Sequence, residues 1–337
     1  MTTLLEQRYR SLLRLLPSYY RRAREEEMVE TYLCGIDESV QEEARPALGE
    51  VASILALAVR TRLAAPGAPV RYATAGAVVR DFAVFAVLVL GTCAVTECVL
   101  TLAWLAGATT VDRSLFTAAF TDRAPLAGAF AVAVRVLPLL WAAGYVCLMR
   151  GHRRAARYAV TAAAVPATLA LVEQLAEGEA GTWLAFTVLW AAFTWLTVLA
   201  VNGGFHTDAP PPLRPAGRPG LVFAACCVLT SAFLVLFLGA TDPVWAAATA
   251  FSAIASVWLA ASRGRVEATA ATALTALGTV VLVPCLSTLA QVLAVAPAGV
   301  VRTVVAQTAL VALLVAVGAI VAVHNLTTVR RRSTGAG

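Results

Sequence analysis

Long, uninterrupted apolar stretches constrain what this chain can fold into more than any other feature. Eight of them are near the ~20 residues that an α-helix needs to cross a bilayer. Only 14% of the residues are charged, well below the ~25% of an average soluble domain. A soluble globular enzyme is therefore excluded. The sequence predicts an all-α fold: a polytopic membrane protein of about eight transmembrane helices with a small N-terminal cytoplasmic helical domain.

The distribution of arginine predicts how the chain is oriented in the membrane. The predicted spans are 82–106, 125–149, 157–176, 181–201, 220–240, 243–262, 268–291 and 302–324. The loops on one side of them hold eleven arginines and the loops on the other side hold three. Because Lys and Arg are enriched on the cytoplasmic side, the arginine-rich loops are assigned there. We expect a multi-pass protein of the cell (plasma) membrane with both termini in the cytoplasm.

The net charge of +6 comes from the membrane part of the chain. Residues 1–81 contain 11 Arg and 11 acidic residues, whereas residues 82–337 contain 15 Arg and 9 acidic residues. A basic protein is a candidate for nucleic-acid binding, but short basic loops beside spans are explained by membrane topology. The chain is expected to lie in the lipid bilayer, and no nucleic-acid partner is expected.

The sequence lacks the patterns that carry catalysis or bind cofactors. It contains no GxxxxGK[ST], HExxH, GxSxG or GxGxxG motif. Its seven cysteines show no CxxC or Cys/His spacing of a metal site. The three histidines lie in predicted loops or at the end of a span. We therefore predict no enzymatic activity, no cofactor and no metal site.

The N-terminal part differs from the rest because it is rich in charge and amphipathic. The sequence predicts a cytoplasmic three-helix domain over 1–65, a linker over 66–81, the eight-span domain over 82–324 and a basic cytoplasmic tail over 325–337. The apolar stripe of the first helix consists of Leu5, Tyr9, Leu12 and Leu16. The third helix, near 47–63, has an apolar face that consists of Leu48, Val51, Leu55 and Val59.

One short segment resembles a known family. The segment reads RYRSLLRLLP over residues 8–17, then Tyr20-Arg21, then EEMVETYL over residues 26–33. This layout is similar to the helical prefix of actinobacterial polytopic membrane proteins and to the HAAS-type domain of membrane proteins associated with PadR-type transcription regulators. The resemblance covers roughly residues 4–35, and no histidine follows the Glu-rich helix as it does in the family. It implies a signalling or regulatory role.

Three interpretations of the N-terminal domain are open at this stage. It is a folded appendage without activity, a module that binds a cytoplasmic regulatory protein, or an amphipathic anchor at the membrane surface. Its acidic residues argue against the anchor, since such helices are typically basic. For the partner-binding module, the predicted contact residues are Tyr9, Leu12, Leu16, Met28 and Tyr32.

Two ionisable residues lie inside predicted spans, where charge is costly and marks a candidate functional site. Glu97 in the first span and Arg135 in the second lie about nine and ten residues from the outer ends. At ~1.5 Å per residue they have nearly the same depth. We predict an intramembrane charge pair, which is either structural or part of a transport site. Gln291 and Gln307, in the last two spans, are a candidate hydrogen-bonded pair between helices.

Residues 202–219, which contain Pro210-Pro211-Pro212, separate the spans into two groups of four. A proline-rich stretch of this kind is interpreted as a semi-rigid linker, with a docking peptide as the alternative.

Two functions of different classes follow from these patterns. The sequence favours a non-enzymatic integral membrane protein with a regulatory or signalling role, whose N-terminal helices bind a cytoplasmic partner. The alternative is a transporter or permease subunit with an intramembrane site at Glu97 and Arg135. A transporter should surround these two residues with a polar cavity. A regulator should have a dry bundle and an apolar groove on its N-terminal helices. The sequence does not indicate an oligomeric state.

Overall fold

A computed structural model describes residues 3–34, 36, 45–63, 68–107, 109, 132–178, 181–206, 218–238, 243–262, 267–295 and 298–334. Within these ranges all regular structure is helical and no strand occurs, which confirms the all-α prediction. The helices are α1 (Leu4–Leu13), α2 (Ser18–Cys34), α3 (Leu48–Arg62), α4 (Val70–Gly107), α5 (Val132–Met149), α6 (Arg153–Ala176), α7 (Thr182–Gly204), α8 (Pro219–Phe233), α9 (Pro243–Ser262), α10 (Ala268–Val295) and α11 (Ala298–Thr334). A 3-10 turn over Leu137–Leu139 lies within α5, and a π-helical turn over Leu234–Leu238 extends α8.

Seven of these helices are long and apolar enough to cross a membrane: α4, α5, α6, α7, α8, α10 and α11. The remaining predicted span, 243–262, coincides with α9, whose apolar segment Trp245–Ala260 is shorter. The multi-pass architecture is thus confirmed for seven helices, and the eighth span stays a prediction.

Two helices extend ten residues or more beyond the spans predicted for them. α4 begins at Val70, so residues 70–81 of the predicted linker are helical; residues 64–67 lie outside the described residues. Pro69 accepts hydrogen bonds from the amides of Tyr72 and Ala73 and starts the helix, as proline favours a helix N-terminus. α11 continues to Thr334, past the predicted end at 324. The arginine-rich sequence over 330–332 favours this extension, because cations stabilise the C-terminus of a helix.

The chain forms two compact units. One consists of Met1–Arg80 with Asn202–Pro210, here called the N-terminal unit, and the other of Asp81–Val201 with Pro211–Gly337, here called the membrane unit. The core of the N-terminal unit joins α1, α2 and α3 and consists of Tyr9, Leu13, Leu16, Val29, Ile54 and Ala58. Thr3 caps α1, since its hydroxyl accepts from the Glu6 amide at 3.3 Å.

The buried face of α3 differs from the predicted one. Leu48, Leu55 and Val59 are 88%, 48% and 48% exposed, whereas Ile54, Ala58 and Thr61 are buried. α3 is apolar on most of its circumference, so its periodicity permits two stripes at helical spacing. Packing against α1 and α2 selects the stripe with Ile54 and Ala58. The Thr61 hydroxyl tolerates burial because it bonds the carbonyls of Leu57 and Ala58.

The first residues of the predicted linker 202–219 belong to the N-terminal unit. Phe205 and His206 are buried, and Nε2 of His206 lies 3.2 Å from the carbonyl oxygen of Leu63. A Cβ added at Gly203 would lie 3.0 Å from Leu63, so a glycine suits this close approach. Residues 207–217, including the three consecutive prolines, lie outside the described residues.

In the membrane unit, glycines permit close helix contacts. A Cβ at Gly278 of α10 would lie 2.6 Å from a methyl carbon of Val315 on α11. In return, Gly318 of α11 lies against Thr275 of α10. A Cβ at Gly144 of α5 would similarly lie 2.8 Å from Val160 of α6. Small residues at such contacts let two membrane helices approach closely and gain dispersion energy.

Candidate functional site

The five residues predicted to bind a partner all belong to the hydrophobic cluster of the N-terminal unit. Tyr9 and Leu16 are only 3% and 2% exposed, so they hold α1, α2 and α3 together. Leu12, Met28 and Tyr32 are partly buried against the same cluster. The apolar stripe that the sequence predicts is therefore largely buried in the core of the N-terminal unit. A unit of this size needs most of its apolar side chains for its own core.

A concave surface remains beside this core. It encloses about 550 Å³, a volume typical of sites that bind small ligands or side chains. We call it the N-terminal groove, and its lining consists of Tyr9, Tyr20, Arg24, Glu27, Met28, Thr31, Tyr32, Ile36, Glu50 and Leu57. Three of the five predicted contact residues, Tyr9, Met28 and Tyr32, thus line one groove; Leu12 and Leu16 do not.

The wall of the groove is aromatic and is held in place by neighbouring helices. The rings of Tyr9 and Tyr32 are stacked, with centroids 4.0 Å apart and planes 5° from parallel. The Tyr9 hydroxyl donates to Oε1 of Glu50 on α3 at 3.4 Å. These contacts connect all three helices and place a rigid aromatic surface beside a carboxylate.

The charges of the lining have a negative balance. Glu27 and Glu50 lie there with one arginine, Arg24, whose Nη1 is 3.8 Å from Oε2 of Glu27. Nearby, Arg10 donates two hydrogen bonds of 2.8 Å to the Glu26 carboxylate and fastens α1 to α2. This contact lowers the pKa of Glu26. An apolar groove with acidic residues favours a ligand that combines an apolar surface with a positive charge.

Tyr9 gives the N-terminal unit an alkaline stability limit. Burial, followed by the charge of Glu50, raises the pKa of Tyr9 to about 12 from an ordinary value near 10. The folded state therefore favours the neutral phenol. The stability that this preference contributes is fully present below pH 10 and is lost as the pH rises towards 12. Absorbance at 295 nm follows the ionisation of tyrosine side chains. The component of this titration that the native chain shows and Tyr9→Phe lacks should have its midpoint near pH 12. A missing component with a midpoint near pH 10 would contradict this assignment.

The predicted charge pair lies in the membrane unit. Glu97, on α4, is exposed on the protein surface and borders a cavity of about 40 Å³. Its other lining residues are Cys93, Thr96, Leu100, Trp190, Leu234 and Ala246. A cavity of this size holds about one water molecule. Arg135, on α5, is also exposed and does not line it. The pairing of Glu97 with Arg135 stays a prediction.

Gln307 makes a contact between helices that the sequence analysis did not predict. Its Nε2 donates to the Trp245 carbonyl oxygen at 3.3 Å and to the Thr249 hydroxyl, both on α9. It therefore links α11 to α9. The predicted pairing with Gln291 on α10 stays a prediction, because the side chain of Gln291 lies outside the described part of the chain. A polar residue inside a span indicates a hydrogen bond between helices, but the spacing alone does not identify the neighbouring helix.

No protein-family model, curated protein or solved structure matches this chain.

Proposed function

We propose that this chain is a regulatory or signalling protein of the plasma membrane, whose N-terminal helices bind a cytoplasmic partner protein. The observation that carries the proposal is the N-terminal groove, with its stacked Tyr9 and Tyr32 beside the carboxylates of Glu27 and Glu50. The apolar helices anchor the chain in the bilayer. The arginine count of the loops favours a cytoplasmic position for the groove.

The groove favours one kind of partner: an amphipathic helix that carries Lys or Arg beside an apolar anchor. Peptides of this class insert apolar side chains into a groove formed by helices. Met28 and Tyr32 are one helical turn apart and provide the apolar contact, because residues at i and i+4 share a face. Glu27 and Glu50 provide the charge complementarity that selects a basic ligand. The resemblance of residues 4–35 to the HAAS-type domain supports a regulatory role.

The alternative of a transporter lacks a supporting observation of this kind. Around Glu97 the described residues form a cavity for about one water molecule, with Leu100, Trp190 and Leu234 in its lining. A transport route through Glu97 and Arg135 would need a larger polar cavity that includes both residues. The regulatory proposal is therefore preferred.

Site-specific photo-crosslinking in the full chain, in native membranes, tests the proposal. A photoreactive amino acid at Thr31, in the groove, should cross-link a protein, and the cross-linked peptide should be a basic amphipathic helix. The same group at Ala23, an exposed position of α2 outside the groove, should not. Reversal of one charge with Glu27→Arg should lower the yield up to about fivefold, the effect of an exposed ion pair.

Glu30→Arg is the matched control, because Glu30 is exposed on the same helix and does not line the groove. It should leave the cross-link unchanged. Equal yields from positions 23 and 31, or equal losses with Glu27→Arg and Glu30→Arg, would count against a partner in this groove.

A further inference from the structure

A cluster of arginines lies at one end of the N-terminal unit, where the ends of three helices meet. The hydroxyl of Tyr19, in the first turn of α2, donates to the carbonyl oxygen of Thr61, in the last turn of α3, at 2.7 Å. The Tyr19 ring also lies against the ring of Tyr72, in the first turn of α4, with centroids 5.4 Å apart. These contacts bring the arginines of the three helix ends together. We call them the arginine patch, which consists of Arg22, Arg60, Arg62 and Arg71.

The arginine patch has no acidic partner in the described part of the chain, since none of its four side chains forms an ion pair there. All four are exposed. By contrast, Arg10 and Arg24, elsewhere in the same unit, both pair with glutamates. Arg71 lies over the ring of Tyr72, 4.7 Å from its centroid, and this contact leaves its positive charge in place. Four like charges on one surface attract an anionic partner.

The glutamates nearest to the patch along α2 and α3 do not neutralise it. On α3, Glu50 precedes Arg60 by ten residues, about 15 Å along the helix axis. On α2, Glu25 follows Arg22 by three residues, but its carboxylate lies 3.9 Å from the guanidinium of Arg10 on α1. The N-terminal unit thus has a basic end as well as the N-terminal groove, whose lining has a negative balance. The two surfaces favour ligands of opposite charge.

The chain itself brings the arginine patch close to a bilayer. α4 runs without a break from Val70 to Gly107 and is one of the helices that are apolar enough to cross a membrane. Eleven residues, about 16 Å of helix, separate Arg71 from residue 82, where the sequence predicts that the span begins. The headgroup layer occupies roughly 5–8 Å of this distance, and the long side chain of an arginine reaches towards it. Arginines this close to an anionic leaflet attract its headgroups.

The tyrosines of the patch favour a membrane surface over a nucleic acid. Single-stranded nucleic acids stack their bases on exposed aromatic rings. Here Tyr19 packs against Tyr72, and Arg71 lies over the Tyr72 ring, so these rings are already in use. At a membrane–water interface, by contrast, tyrosine is enriched because its ring is apolar and its hydroxyl is polar.

We propose that the arginine patch binds the anionic headgroups of the bilayer in which the chain is anchored. A guanidinium is well suited to the phosphate of a headgroup because it forms paired hydrogen bonds. Four arginines contact several headgroups at once, so the patch selects a leaflet with net negative charge over a zwitterionic one. The proposal does not depend on the partner of the N-terminal groove, because that groove is lined by other residues.

Arginine-specific labelling of the unmodified full chain tests this proposal. Phenylglyoxal reacts with accessible guanidinium groups, and peptide mass spectrometry measures the rate at each arginine. The chain is placed in nanodiscs of phosphatidylcholine alone or with about 30% phosphatidylglycerol, which is anionic. We expect labelling of the four patch arginines to be about fivefold slower in the anionic nanodiscs, the effect of one arginine at an anionic surface. In about 0.5 M NaCl the difference should largely disappear, because salt screens this attraction.

Arg45 is the internal control for this measurement. It is exposed in the same unit and precedes α3, whereas Arg60 and Arg62 lie at the other end of that helix. Its labelling rate should be the same in both kinds of nanodisc. Equal rates for the patch arginines in the two bilayers, or an equal decrease at Arg45, would overturn the proposal. Protection of the patch by a single-stranded oligonucleotide but not by phosphatidylglycerol would assign it to nucleic acid and would overturn the proposal as well.

Discussion

Replacement of Gly278 by leucine is expected to destabilise the membrane unit by about 1–3 kcal/mol or more, the usual range for overpacking. A single Cβ at this position would lie 2.6 Å from Cγ2 of Val315 on α11 and 2.7 Å from Cζ of Phe251 on α9. Phe251 is fully buried and has little room to move. Leucine adds three more carbon atoms, so α10 and α11 must separate. The higher helix propensity of leucine offsets no more than about 1 kcal/mol of this loss of stability.

The thermal midpoint of the full chain in detergent, followed by tryptophan emission, measures this effect. Gly220→Leu is the matched control, because Gly220 lies at the start of α8 and a Cβ added there would have no atom within 4 Å. It should leave the midpoint unchanged or raise it. If Gly278→Leu is not produced, Gly278→Ala should still lower the midpoint relative to Gly220→Ala. Equal midpoints for the pair would contradict the close contact of α10 with α11.

Truncation of Leu13 to alanine is expected to destabilise the N-terminal unit by about 2–5 kcal/mol. Leu13 is 0% exposed and lies in the same cluster as Val29 of α2 and Ile54 of α3. A helical unit of this size has little stability to lose. We therefore expect hydrogen exchange to become faster across α1, α2 and α3, while the membrane-spanning helices keep their protection.

Leu15→Ala provides the control for this prediction. Leu15 lies two residues further along the chain and is 38% exposed, so its truncation leaves no buried cavity. Exchange in α2 and α3 should stay slow in this variant. Unchanged exchange in Leu13→Ala would show that Leu13 does not hold the three helices together.

The sequence alone predicts that this protein is helical and that it lies in a membrane. Backbone amides inside a bilayer must bond within their own helix, so apolar stretches of about 20 residues predict α4, α5, α6, α7, α8, α10 and α11 without a tertiary structure. The amphipathic spacing of Leu5, Tyr9, Leu12 and Leu16 similarly predicts a buried stripe. Leu5 and Tyr9 on α1 and Leu16 just after it are buried, whereas Leu12 is only partly buried and its neighbour Leu13 is fully buried.

Only the tertiary structure decides which side chains meet. α3 carries two apolar stripes at helical spacing, and packing against α1 and α2 buries the one with Ile54 and Ala58. Gln307 bonds α9, a neighbour that the spacing of polar residues in the sequence did not identify. Periodicity is local information, because it shows only which residues a few positions apart share a face of one helix. Which helix lies opposite depends on the shapes of all the others, and that information is distributed over the whole chain.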